Sequence, residues 1–472
     1  MKHTAFQGRL VMLGFGSIGQ GVLPLILRHI EMPREAITIV TAEPRGREIA
    51  AEYGIRFVEQ AVTPENIRDV LVPRLRAGDF LLNLSVDVSS VALMRLCQEL
   101  GVLYLDTVVE PWAGGYTDPS LTPSQRSNYA MREEVIALRE MTHGGPTSVT
   151  AHGANPGLVS HFVKQALLDI ARDTGAPIAH PPPASDRAAW AEIAERLGIR
   201  AIHIAERDTQ VSDRRKRPGE FVNTWSVDGF VGEGCQPAEL GWGTHEKTLP
   251  PDARRHGFGC DAAIYLLWPG ASTRVRTWTP LEGPFHGFLI THNESISLAD
   301  YYTARNADGS VRYRPTTHYA YHPCDDAVLS IHELAGKNWE MQPEKRLMTD
   351  EIVSGTDELG VLLMGHAKGA YWCGSRLTIG EARRLAPHNN ATSLQVAVAV
   401  LAGVVWTIEN PRRGVVESDE MDHARILGIC RPYLGEVVGA YSAWTPLQDR
   451  GRLFPEELDS EDPWQFSNIR VG

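Results

Sequence analysis

Cysteine is sparse in this chain, six residues in 472 (Cys97, Cys235, Cys260, Cys324, Cys373 and Cys430), with no C-x-x-C pair and no Cys/His cluster at zinc-ligand spacing. This excludes a disulfide scaffold, offers no metal motif, and makes reduced thiols in a cytoplasmic protein the expectation. The amino-terminal MKHTAFQGRL contains no apolar leader. Long hydrophobic runs are also lacking. The most apolar stretch, Leu394 to Ile408, falls short of the ~20 residues of a membrane span and is expected to form a buried helix. Basic charge is in deficit, with Lys plus Arg at 46 against Asp plus Glu at 58, a formal net charge of -12. A nucleic-acid surface therefore has no global electrostatic support, and a cationic small molecule is the favoured ligand.

What is present is a strand, glycine turn and helix at the amino end. In RLVMLGFGSIG the apolar run Leu10 to Leu13 feeds into Gly14, Gly16 and Gly19, followed by a helical pattern from Gln20 to Ile30. The first glycine makes the tight turn, the second lets the backbone approach a pyrophosphate, and the third lets helix pack on strand. The helix amino end, with free N–H groups and the positive dipole end, suits the phosphates. A second apolar run, Ala36 to Ala42, ends at Glu43, where an acid holds the ribose hydroxyl of NAD and repels the extra phosphate of NADP. The bland alternative is a solvated Glu43 and a merely structural turn. The cofactor-binding set is Gly14, Gly16, Ser17, Ile18, Gly19, Glu43, Ser85, Asp87, Thr107 and Asn155, with NAD as cofactor.

Alternating strands and helices continue through Asp79 to Val86, Val102 to Asp106 and Thr147 to Ala151, the pattern of a doubly wound parallel sheet. From about Arg172 the pattern turns to short strands rich in aromatics and glycine, and the carboxyl third returns to helix. The expected division is a Rossmann-type NAD-binding domain over 1–153, an α+β substrate and dimerisation domain over 154–376, and over 377–472 carboxyl-terminal helices packing back on the first domain.

Several polar residues follow expected strands. Asp87 and Glu110 lie beyond strand ends, where such sheets bind ligands, and Asn155 sits in HGANPG. Each reads equally well as a helix cap or a solvated loop residue. Farther on come Glu206, Asn223, Trp225, Glu233, Glu239, His292, Glu294 and Asp357. Singly these are ion-pair partners or core residues. Together, a tryptophan face and several carboxylates form a box for a cation, the ring adding ~0.5–2 kcal/mol when water is excluded. Arg214, Arg215 and Arg217 read as a solvated basic run.

The segments GFGSIGQGVLPLILRH, LNLSVDVSS, LYLDTVVEPW, HGANPGLVSHFVK, FVNTWSVDGF, ITHNESIS, SGTDELGVLL and NNATSLQVA together resemble the bacterial homospermidine synthases, relatives of the saccharopine dehydrogenases, over nearly the whole chain. The resemblance implies an enzyme that joins two putrescine molecules and releases ammonia by hydride removal, imine exchange and hydride return, with NAD recycled. It places Asp87, Glu110, Asn155, Glu206, Trp225, Glu233, His292, Glu294 and Asp357 at the polyamine site. Trp225 is then the cation–π partner, Glu206 and Glu233 the principal ammonium-binding carboxylates, and a neutral His292 a proton relay. A homodimer is also implied, while use of spermidine or diaminopropane as further substrates is left open. The alternatives are a saccharopine- or carboxynorspermidine-type dehydrogenase, which needs Arg for its substrates' carboxylates, and a non-catalytic NAD-binding sensor.

Overall fold

The computed structural model describes residues 1–472. Its first sheet starts from the glycine-turn strand β1 (Leu10–Leu13) and adds β2 (Ile37–Thr41), β3 (Arg56–Glu59), β4 (Phe80–Asn83), β5 (Leu103–Asp106) and β6 (Ser148–Thr150). The spatial order is β3-β2-β1-β4-β5-β6, with Val415–Glu417 as a seventh strand beside β6, and every pairing is parallel. All four residues of β1, β4 and β5 are buried, as a sheet covered on both faces requires. The order reverses between β1 and β4, and this switch point is where doubly wound sheets bind ligands. There a Cβ on Gly14, whose φ is +87°, would lie 2.6 Å from the Leu84 carbonyl and the Ser85 nitrogen. Only glycine fits.

The second sheet has eleven strands and is mixed. At its centre Ala201–Asp208 pairs in parallel with Thr316–His322 and antiparallel with Thr356–His366. The strand carrying Glu206 thus runs beyond Ala205 to Asp208. Strand Gly283–Phe288 ends four residues before His292, which caps helix Asn293–Tyr301.

The carboxyl-terminal segment is more than helices returning to the first domain. Val415–Glu417 joins the first sheet, while Glu436–Ser442 and Arg470–Val471 join the second. Between them lies the apolar helix, 19 residues from Ala391 to Glu409, longer than the pattern suggested. Its length and apolarity meet those of a membrane span, yet 89% of its apolar window is buried inside the protein. A helix apolar on every side needs cover on every side, and it is covered by helices Ser17–His29 and His423–Cys430, by β5 and by the second sheet. The contact with β5 is tight, because a Cβ on Gly403 would lie 2.5 Å from Leu105 and 2.8 Å from His152.

A buried ion network ties the same parts together by charge. Arg132, only 1% exposed, donates to both Glu417 oxygens at 2.7 and 2.9 Å and to Asp300 at 2.8 Å, and Arg187 donates to Asp300 at 2.7 Å. Glu417 belongs to the first sheet, Asp300 and Arg187 to helices of the second domain. Removing one member of such a network leaves its partners buried and unpaired. Arg132→Met is expected to cost about 3–5 kcal/mol of stability, read as a lowered midpoint of urea unfolding.

Candidate functional site

A cavity of about 610 Å³ runs from the glycine turn, across the carboxyl ends of the first sheet, to the face of the second domain. At one end it is a nucleotide cradle. A Cβ on Gly16 would meet nothing within 4 Å, so the backbone there faces open cavity. Helix Ser17–His29 has no side-chain cap and no acid in its first turn, and its first residues, Ser17 and Ile18, line the cavity. These features fit a pyrophosphate. Gly19 does not reach the cavity; its Cβ position lies 3.0 Å from the Gly14 carbonyl oxygen and the Phe15 ring, so it serves the packing of helix on strand. Glu43, exposed beyond β2, lines the cavity together with Arg45, and Ser85, Asp87, Thr107 and Asn155 line it farther along.

The other end is acidic and aromatic. Asn155 donates from Nδ2 to Glu206 Oε2 at 2.8 Å, while the helix that follows is capped by Gly157 without any side-chain bond. Asn155 is therefore a partner of the acid rather than a helix cap. The Tyr319 hydroxyl also donates to Glu206. Tyr319 stacks on Tyr321 with ring centres 5.1 Å apart, and Trp225 Nε1 donates to the Tyr321 hydroxyl at 3.1 Å. That bond fixes the indole that borders the cavity. Glu110 is pinned through its backbone N–H, which donates to Ser90 Oγ at 3.0 Å. His292 lies between two acids, with Nε2 3.0 Å from Glu233 and Nδ1 3.2 Å from Glu294.

The electrostatics follow from this crowding. Burial, then the neighbouring charge of Glu233, raises the Glu110 carboxyl to about 8. Burial raises Glu206 to about 8 as well, with the Tyr319 bond opposing and Asp208 adding to the rise. Asp87 is raised by its own burial and by Asp228, with Lys345 opposing. Burial alone would lower His292, but Glu294 and Glu233 outweigh it and raise the imidazole to about 10. The two acids thus favour the charged ring over the neutral one expected from sequence, and in that form both ring nitrogens would donate, to Glu233 and to Glu294.

Glu294 and Asp357 stand one layer behind the cavity. Asp357 is fully buried on the strand opposite Asp208, its oxygens without hydrogen-bond partners, and burial followed by Glu206 and Asp208 raises it well above the carboxylate range. Glu239 has a different task. It accepts from the Asn128 and Tyr129 backbone N–H groups at 2.8 and 3.4 Å, capping helix Asn128–Met141. Asn223 is buried away from the cavity.

Sequence reasoning missed Asp228, Tyr319, Lys345, Thr392 and Val396, all of which line the cavity. Tyr319 and Tyr321 were legible as same-face neighbours in an alternating strand, and Thr392 and Val396 as a one-turn pair on the apolar helix. Lys345 carries no local signal.

The family model of the saccharopine dehydrogenase NADP binding domain matches residues 10–149, and that of the saccharopine dehydrogenase C-terminal domain matches residues 153–441. The chain is 56% identical to a homospermidine synthase of Blastochloris viridis, over 99% of this chain and 98% of that protein. It is 53% identical to one of Mesorhizobium japonicum, over 98% and 96%. A solved structure of homospermidine synthase from Legionella pneumophila in complex with NAD superposes with a TM-score of 0.92 at 50% identity, covering 99% of this chain and 98% of that one.

Two cavity acids near 8 give a measurable linkage. Below that value both carry protons, and a bound dication favours their ionised forms. Calorimetric titration with putrescine at pH 7 is expected to release protons, and affinity to rise between pH 7 and about 8. In the free protein the sign is opposite. Each raised acid contributes stability that is complete below the unfolded value of about 4.3 and is lost as pH rises through about 8, so diamine stabilises most at the alkaline end.

Proposed function

The chain belongs to the homospermidine synthase family, and from that premise we propose that it joins two putrescine molecules into homospermidine with release of ammonia, NAD being the recycled cofactor. The observation that carries this reading is the acid-walled, tryptophan-bordered cavity next to the nucleotide cradle. An amino-acid substrate would need a guanidinium for its carboxylate. The one Arg of the lining, Arg45, lies two residues from Glu43 at the ribose end, which speaks against a saccharopine-type dehydrogenase.

Gly14, Gly16, Ser17, Ile18 and Glu43 would hold the dinucleotide, with Ser85, Asp87, Thr107 and Asn155 beside its reactive ring. When bound, NAD takes a hydride from the carbon next to a diamine nitrogen and returns it to the joined product. The chain's own groups do the rest. An ammonium must lose a proton before its nitrogen lone pair can drive that carbon's oxidation, and its reference value near ~10.4 demands a base. Glu206, tuned to about 8, is matched to that task near neutral pH. The resulting imine is attacked at carbon by the free amine of the second putrescine, ammonia leaves, and the C=N bond re-forms to the new nitrogen. His292, charged between its two acids, supplies the proton that the departing nitrogen needs. Glu110 and Glu233 hold a distal ammonium, fixing the depth at which the reacting carbon sits. Trp225 stabilises the cationic states against its ring by ~0.5–2 kcal/mol. The same reading makes the protein a cytoplasmic homodimer.

Purified protein incubated with NAD and putrescine is expected to form homospermidine and ammonia in equal amounts without net NADH; accumulation of NADH would overturn the proposal. Trp225→Phe is expected to retain more turnover than Trp225→Ala. Equal losses would remove the cation–π role. Light scattering checks the dimer.

A further inference from the structure

A cavity lined by carboxylates has one feature that runs against its own charge. Lys345 borders it, and its Nζ binds Asp228 Oδ1. The placement is built in. Glu344–Leu347 pairs in parallel with Glu220–Asn223, Lys345 opposite Phe221, and the second of these strands leads through Trp225 into helix Val227–Cys235. Asp228 stands in the first turn of that helix, where the free N–H end favours a negative charge. Both partners remain accessible, with side chains 45% and 53% exposed, so the pair sits at the cavity mouth rather than in its depth. The lysine side chain is a four-carbon stem ending in a primary ammonium, the same charged group that putrescine carries at each end.

We propose that Lys345 is a built-in competitor of the substrate: it occupies Asp228 until an arriving ammonium displaces it, so that the outer acid site binds diamine and product loosely enough to let them go. Exchange of one ammonium for another at Asp228 is nearly balanced, and an exposed pair of this kind is weak. Asp87 borders the same cavity and is raised by Asp228, an effect that Lys345 offsets in part. The inference rests on the diamine reading of the site.

The experiment measures putrescine binding by calorimetry at low salt, together with KM, kcat and inhibition by homospermidine, for Lys345→Met and Lys345→Arg. Lys345→Met is expected to tighten putrescine binding and lower KM by about twofold to fivefold, with stronger product inhibition and a smaller change in kcat. Lys345→Arg should stay near the parent. In an Asp228→Asn background the Met substitution should have no effect on binding. Weaker or unchanged binding in Lys345→Met, or an effect that persists without the Asp228 carboxylate, overturns the proposal. Equilibrium binding needs no turnover, so failure of the parent protein to make homospermidine would count against the proposed function alone.

Discussion

Carboxylates gathered in one place with too few cations among them set the terms for the rest of this structure. Like charges repel strongly in a site that screens them poorly, and the neighbouring acids accordingly add to the rise that burial gives Glu110, Glu206 and Asp87. The protein supplies some relief: phenol and amide donors to Glu206, the His292 ring between Glu233 and Glu294, and the Lys345 ammonium on Asp228. The balance is left for a ligand with two positive ends. Specificity and protonation state thus share one physical origin, because the raised acids that select a dication are also the groups whose proton affinity suits amine chemistry.

Such an arrangement survives only on a scaffold that does not relax. Free to move, the acids would turn to solvent. The apolar helix Ala391–Glu409 is the spine that prevents this, since it presents Thr392 and Val396 to the cavity while the rest of its surface is packed against both domains. Val415–Glu417 completes one sheet and Glu436–Ser442 extends the other, and the buried Arg132–Glu417–Asp300–Arg187 network lies between them. The chain crosses the domain junction repeatedly, which holds the nucleotide cradle and the acidic wall at one separation.

The aromatic side of the site is held in the same way. Trp225 lies two residues beyond strand Glu220–Asn223 and directly before the helix cap Ser226, and its indole N–H is committed to Tyr321. The Tyr319–Tyr321 stack in turn places a phenol on Glu206. Orientation of the ring and protonation of the acid are therefore coupled through two neighbouring tyrosines on one strand.

The glycine turn, the alternating strands of the first sheet and the buried helix were legible in the sequence because each is local: spacing of small residues, apolar runs and capping residues act within a few positions. Trp225 lies within one of the motif segments, whereas Glu206 and Glu233 lie outside them, and their role was implied only by the family resemblance. What the sequence could not decide was set by long-range pairing. Glu239 and Glu233 look alike in sequence, yet one caps a helix and the other faces the cavity, because strand pairing puts Glu239 beneath Asn128. The charge of His292 depended on Glu233, 59 residues away, and Lys345 reached Asp228 only through a two-stranded pairing across 117 residues. Residue types fixed the available chemistry; only the tertiary structure, by bringing charges within a few ångströms in a medium that screens them poorly, decided which groups carry a proton and which wait for a cation.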